Sequence, residues 1–215
     1  MLLPQLSALA KSGYVIASID YRIIGEAKFP EPEKDVKTAI RFLRANAARF
    51  NIDPEKIGLF GNSAGGHLSS FAGTTGGVAE FEGEDWKDQS SAAQAVVAWY
   101  APLYFETLGN KPTDSANLHA GFDLKDPKNA EDVKKLNPAT YLDAKDPPFL
   151  LVHGTEDKLV AFEHSQRFYG DLKAAGVEAT LVKVNGAGHS FGLVSSQPEV
   201  NERIQAFFDK HLKGK

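Results

Sequence analysis

Apolar residues along this chain fall in two alternating rhythms. Five short, nearly continuous apolar runs, at 14–19, 57–60, 95–100, 149–152 and 179–184, have the length of strands buried on both faces. Between them apolar positions recur at helical spacing. Leu6, Leu9 and Ala10 share one face of a helix predicted over 3–11, which Gly13 ends. Val36, Ala39, Ile40, Leu43 and Ala47 mark a helix over 35–50, and a small-residue helix starts near Ala64. Two more follow, at 162–175 and at 200–212, the last with Val200, Ile204, Phe207, Phe208 and Leu212 facing inward. Strands alternating with helices predict an α/β fold, a mostly parallel sheet flanked by helices. Residues 76–91 read as a solvated acidic loop. Residues 103–146, long and weakly patterned, read as a lid or binding loop.

Composition narrows the picture. A chain of 215 residues, 42% of them hydrophobic, is enough for one core, so a single domain over 1–215 is expected. A net charge of −4 and a pI of about 5.9 lack the basic footprint of a nucleic-acid binder. No apolar run approaches the ~18 residues of a membrane span. The first residues lack the charged start and cleavage site of a signal peptide, so the chain as given reads as soluble, cytoplasmic as it stands or secreted if an upstream segment is missing. Cysteine is absent, which removes disulfides and thiolate metal sites. No histidine or carboxylate cluster has metal-ligand spacing, and no cofactor is expected.

The chemistry begins at Gly61-Asn62-Ser63-Ala64-Gly65, a G-x-S-x-G motif. It lies where a strand ends and a helix begins, the placement that lifts a serine Oγ out of a sheet on a sharp turn. Glycines at 61 and 65 are expected to keep side chains out of that crossing. The helix start offers the backbone N–H of Ala64 to a developing oxyanion. A phosphate loop fits poorly: Gly61 and Gly66 have its spacing, but His67 stands at the lysine position. A plain strand–turn–helix with an N-capping serine is the bland alternative.

A serine needs a base. Of six histidines, only His189 follows the last predicted strand, within Gly186-Ala187-Gly188-His189-Ser190-Phe191. His67 is expected to be structural, His153 to bond locally, and His119, His164 and His211 to lie on the surface. Asp157, in Gly154-Thr155-Glu156-Asp157, is the expected acid that orients His189, with Glu156 the runner-up. Serine, acid and histidine then follow one another in chain order, each after a strand, as in a Ser–Asp–His hydrolase.

At this point larger blocks look familiar. Asp20-Tyr21-Arg22, Phe29-Pro30, Asp35-Val36 and Ala39-Ile40-Arg41-Phe42-Leu43 resemble bacterial carboxylesterases of the hormone-sensitive-lipase group. Ile52-Asp53-Pro54-Glu55-Lys56-Ile57, the stretch 61–68, Gln94–Val97, Asp146–Leu150, His153-Gly154 and Gly188-His189 are similar to the bifunctional feruloyl and acetyl-xylan esterases. The resemblance covers nearly all of 3–213. It implies an α/β-hydrolase fold and a serine esterase, a carboxylesterase that cleaves short acyl, feruloyl or acetyl esters through an acyl-enzyme. The implied substrate is a small-molecule or polysaccharide-linked ester. Asn62 stands where Glu or Asp is common in these relatives. Trp99, Tyr100 and Phe191 are the candidate substrate-binding residues, with Phe105 and Phe122 as further walls.

One departure is large. These families carry a His-Gly-Gly-Gly-like loop after an early strand, and its N–H groups complete the oxyanion hole. This chain starts at what resembles the helix after that loop. In the family's strand order, one strand is then missing between 14–19 and 57–60. Three outcomes are open: an N-terminally truncated fragment, a first strand that slides over to pair with 57–60, or a homo-oligomer in which a second copy fills the gap. A lost oxyanion donor typically costs ~10²–10³ in kcat. Two rivals to the esterase reading remain: a prolyl-oligopeptidase-like peptidase or acyl-aminoacyl hydrolase, and a degenerate hydrolase fragment without activity.

Overall fold

Four of the five apolar runs become one parallel sheet in the computed structural model, which describes residues 4–23, 25–106, 120–191 and 197–214. Strands β1 (Gly58–Asn62), β2 (Ala95–Trp99), β3 (Phe149–Gly154) and β4 (Ala179–Val184) lie side by side in chain order. Register is fixed by pairs such as Leu59 with Val96, Val97 with Leu150 and Leu151 with Leu181. Every residue of β2 and β3 is buried, because helices cover both faces.

Strand alternation sorts the core. Ala95, Val97 and Trp99 of β2 and Leu150 and Val152 of β3 meet Leu9 of α1 (Pro4–Lys11) and Val200, Ile204 and Phe208 from the C-terminal helix. Val96, Ala98, Phe149 and Leu151 face the opposite way, onto Phe168 and Leu172. A third group joins Val36 and Ile40 of α2 (Glu31–Ala45) to Ile57 and to Leu68 and Ala72 of α4 (Ala64–Thr74). The predicted helix 35–50 thus starts earlier, with Pro32 in its first turn, and breaks at Asn46 before the short α3 (Ala47–Phe50). Further α-helices among the described residues are α5 (Ala130–Leu136), α6 (Glu163–Ala174) and α7 (Pro198–Phe208). Among the described residues, no helix is long and apolar enough to cross a membrane.

The fifth apolar run departs from expectation. Residues 14–19 pair with no strand, and Val15 and Ile19 are 56% and 37% exposed. Tyr14 fixes the start of the segment by donating its hydroxyl to Asp209 at 2.8 Å and packing on Phe208. Beyond it the chain runs across a groove of about 650 Å³ from β1, bordered by Ile16, Ile40, Phe60 and Leu212. A strand exists only through a partner's backbone groups. Here β1 is the edge of the sheet, and its outer side faces the groove, so the run has no ladder to join. The expectation that the first strand slides over to pair with 57–60 is therefore overturned.

The acidic loop 76–91 is also less solvated than its charge suggests. Phe81 is fully buried against Phe29 and Phe71, and Glu82 reaches inward to Lys37 at 2.9 Å and Arg41 at 3.2 Å. Lys37 and Arg41, one helical turn apart on α2, turn toward the core instead of solvent. Burial lowers the Lys37 ammonium from its ordinary value, although Glu82 opposes the shift. Of the weakly patterned segment 103–146, residues 107–119 lie outside the described residues. The rest folds into α5 and two single-turn helices, at 127–129 and 138–141.

Candidate active site

Three loops at the carboxyl ends of β1, β3 and β4 converge on one point. The first is the turn from β1 into α4. Ser63 there has φ 51° and ψ −121°, a strained conformation for a residue with a side chain. Its Oγ makes no capping bond to α4, so the bland N-cap reading has no contact to support it. Ser63 instead donates its N–H to Trp99 O at 2.9 Å, and its own carbonyl accepts from His67 N. These bonds hold the turn rigid and leave the hydroxyl outside the helix.

The glycine requirement differs from the one expected. A β-carbon on Gly61 would sit 2.0 Å from the Gly65 carbonyl oxygen, and one on Gly66 would sit 2.9 Å from the Ala101 β-carbon. A β-carbon on Gly65 would meet nothing within 4 Å. Gly61 and Gly66 are the positions that the crossing requires. At 65 the crossing uses the carbonyl, while the space on the α-carbon is open.

The second and third loops are strapped together. Thr155 N donates to Val184 O, Glu156 N to Ala187 O, and Gly186 N to the Thr155 hydroxyl. The straps aim two side chains at each other. His189 Nδ1 lies 2.7 Å from Asp157 Oδ2, and His189 Nε2 lies 3.0 Å from Ser63 Oγ. An ionised carboxylate only accepts, so Nδ1 carries the proton and Nε2 presents its lone pair to the serine hydroxyl. The Asp157 side chain is fully buried, and His189 keeps 15% exposure. Asp157 Oδ1 accepts from the backbone N–H groups of Leu159 and Val160, each at 2.9 Å. Burial alone would raise the Asp157 carboxyl. The N–H groups of His153, His189 and Val160 outweigh burial and hold it well below the usual carboxylate range. Glu156, the runner-up acid, is exposed and contributes only its backbone to the straps.

Ala64 is the first residue of α4, where a backbone N–H has no carbonyl four residues back within the helix. With Ser63 and Gly65 it borders the same groove that separates residues 14–19 from β1. Trp99, Tyr100 and Phe191 do not border it. They are buried and packed on one another, with Trp99 stacked on Phe191 at 5.4 Å and Tyr100 against Phe191 at 5.5 Å. Tyr100 also sets its ring edge-on to His189 at 4.6 Å and accepts a bond from Asn62 Nδ2 at 3.0 Å. The three aromatics thus form a wall behind the imidazole. Phe105 is buried, in edge contact with His67 at 4.9 Å.

The other histidines divide. His67 is buried on α4, its Nδ1 3.2 Å from Pro102 O, and His153, near the end of β3, bonds both to Val160 O in the following loop and to Ser165 Oγ on α6. His164 is not a surface residue: its Nδ1 accepts the N–H groups of Leu103 and Tyr104, and burial pushes its pKa down to about 4. His211 is half-buried against Phe207, because the last helix turns that face inward. His119 lies outside the described residues. Sequence reasoning missed the Asn62–Tyr100 bond and the proximity of His153 to Asp157. The four-residue spacing of His153 and Asp157 was the available signal.

Known proteins resemble this chain in sequence and in overall fold. A family model described as BD-FAE matches residues 2–172. A truncated form of a carbohydrate esterase from gut microbiota is 34% identical, with TM-score 0.87 over 95% of this chain and 76% of that one. An acetyl ester-xyloside bifunctional hydrolase from Caldicellulosiruptor lactoaceticus is 30% identical, with TM-score 0.76 over 89% and 69% of the two chains. Esterase LipC of Mycobacterium tuberculosis is 32% identical over 196 residues, 88% of this chain and 48% of LipC. The chain spans about half the length of the curated relatives it matches.

Proposed function

The chain belongs to the BD-FAE family, and from that premise we propose that it is a serine carboxylic-ester hydrolase working through an acyl-enzyme. The observation that carries the reading is the unbroken relay from Ser63 Oγ to His189 Nε2 at 3.0 Å and from His189 Nδ1 to Asp157 Oδ2 at 2.7 Å.

The steps follow from which atoms hold protons. His189 Nε2 takes the hydroxyl proton as Ser63 Oγ attacks the ester carbonyl carbon. Asp157 stays ionised and stabilises the imidazolium that forms. The carbonyl oxygen becomes an oxyanion, which accepts from Ala64 N–H at the positive end of α4. As the tetrahedral centre collapses, the carbon–oxygen bond to the alcohol breaks, and His189 gives its proton to the leaving oxygen. Water then attacks the acyl-serine. His189 takes its proton and returns one to Ser63 Oγ, and the carboxylic acid departs. The acyl carbonyl sits at the end of the groove beside Ser63, Ala64 and Gly65.

For the substrate, we favour short acyl esters, acetyl or feruloyl, borne by a carbohydrate. Support comes from the carbohydrate esterase and the acetyl ester-xyloside hydrolase among the structural relatives. Hydrolysis of p-nitrophenyl acetate, compared between wild type and Ser63→Ala, tests the reaction class. Turnover that survives the substitution overturns it.

A further inference from the structure

The carboxylate of Asp157 is shared by two imidazoles, and the described mechanism uses one of them. His153, the fifth residue of β3, is wholly buried, with Nε2 3.3 Å from Asp157 Oδ2 and 2.9 Å from Val160 O. Its Nδ1 lies 2.7 Å from Ser165 Oγ on α6. These contacts fix the tautomer. A carbonyl and an ionised carboxylate are both acceptors, so a bare Nε2 would set a lone pair against two oxygens. The proton therefore sits on Nε2, which forks between Val160 O and Asp157 Oδ2. Nδ1 is left to accept, and the Ser165 hydroxyl donates to it.

We propose that His153 is a positioning residue for the proposed triad, acting as a second imidazole N–H donor that fixes the Asp157 carboxylate in the plane His189 needs. The inference rests on the ester-hydrolase reading above. Oδ1 is held by the N–H groups of Leu159 and Val160, which lie on the same loop as Asp157 and move with it. His153 is different in kind, since it comes from the central sheet and is itself fixed by Ser165 on a packed helix. It ties Oδ2 and the carbonyl of Val160 to that frame with a single N–H. Without it, the carboxylate keeps its charge and its loop bonds but loses the contact that stops it rotating away from His189 Nδ1. Burial of His153 also excludes water from taking over the donation.

The test compares His153→Leu, which fills the space without a donor, with His153→Gln, whose amide can donate toward Asp157 and accept from Ser165. The expected result for His153→Leu is a kcat lower by on the order of 10- to 100-fold with KM changed by less than about twofold, since misplacement of a group by an ångström costs about that much. His153→Gln is expected to recover most of the loss. Equal kcat in wild type and a folded His153→Leu overturns the inference, as does a His153→Gln no better than His153→Leu. Long-range ¹H–¹⁵N NMR of wild type supplies a reading that needs no variant and no turnover. Nε2 of His153 must be protonated and Nδ1 bare at neutral pH, and the opposite tautomer overturns the proposal. A wild type that neither turns over esters nor labels at Ser63 instead refutes the ester-hydrolase reading, and the tautomer still decides the placement of the proton.

Discussion

The carbonyl oxygen of Gly65 lies 2.0 Å from the point where a β-carbon on Gly61 would sit. The strand entering the serine turn and the helix leaving it cross at that point, so the backbone of one occupies the side-chain space of the other. The strained φ of Ser63 persists because this crossing and the Ser63 N–H bond to Trp99 O over-determine it.

This contact predicts opposite outcomes for two glycines of one motif. Gly61→Ala must push β1 and α4 apart and is expected to lower stability by about 3 kcal/mol or more, with loss of activity. Gly65→Ala meets open space and removes a flexible residue from a helix, so stability should hold or rise by up to ~1 kcal/mol. Urea unfolding midpoints of both variants check the pair. Equal losses would contradict the account.

Asp157→Asn should leave the fold standing and stop the chemistry. An amide cannot hold His189 in the tautomer with Nδ1 protonated as a carboxylate does, so kcat is expected to fall by roughly 10³–10⁴-fold. Steady-state kinetics alongside a thermal melt separates this from unfolding.

The ion cluster beneath the acidic loop makes a stability prediction. Glu82→Ala leaves Lys37 and Arg41 buried without their carboxylate, which is expected to cost about 3 kcal/mol. Chemical denaturation measures it. Lys87→Ala, whose ion pair with Glu84 is exposed, should change stability by less than about 1 kcal/mol.

Asp146 sets a pH dependence. Burial pushes its carboxyl up to about 7, and the nearby Asp143 charge adds to the effect while the Asp143 N–H opposes it. A carboxyl raised above its unfolded value contributes stability that is present below about pH 4 and lost as pH rises through about 7. Asp146→Asn removes that loss. Its stability should match wild type near pH 4 and exceed it at pH 8, by on the order of 1 kcal/mol once solvent screening is allowed for, with a correspondingly higher melting temperature. Melts across that range check both the sign and the window.

Much of the sheet was legible because periodicity reports burial directly. The runs at 95–100 and 149–152 are apolar throughout since helices cover both faces of β2 and β3, the runs at 57–60 and 179–184 are more mixed because β1 and β4 are the sheet's edges, and strands form at all four places. The run at 14–19 carries the same signal, but a strand also needs a partner, and pattern says nothing about who is alongside. Ser63, Asp157 and His189 could be named from motif and chain order, since the end of a parallel strand is a placement that sequence reveals. Their distances could not. The inward turn of Lys37 and Arg41 was hidden because a charged side chain reads as solvated until its counterion, Glu82, is seen folding back from 41–45 residues away. Trp99, Tyr100 and Phe191 were visible as large aromatics near the serine, yet only coordinates distinguish a wall behind the histidine from the lining of a groove.

Mass spectrometry after treatment with a fluorophosphonate probe tests the central claim most directly, because the reagent bonds only to a serine whose proton has somewhere to go. The account predicts one adduct, on Ser63, that disappears in His189→Ala although the protein still folds. An unmodified wild type, or labelling of Ser63 that persists at the same rate without His189, would contradict it.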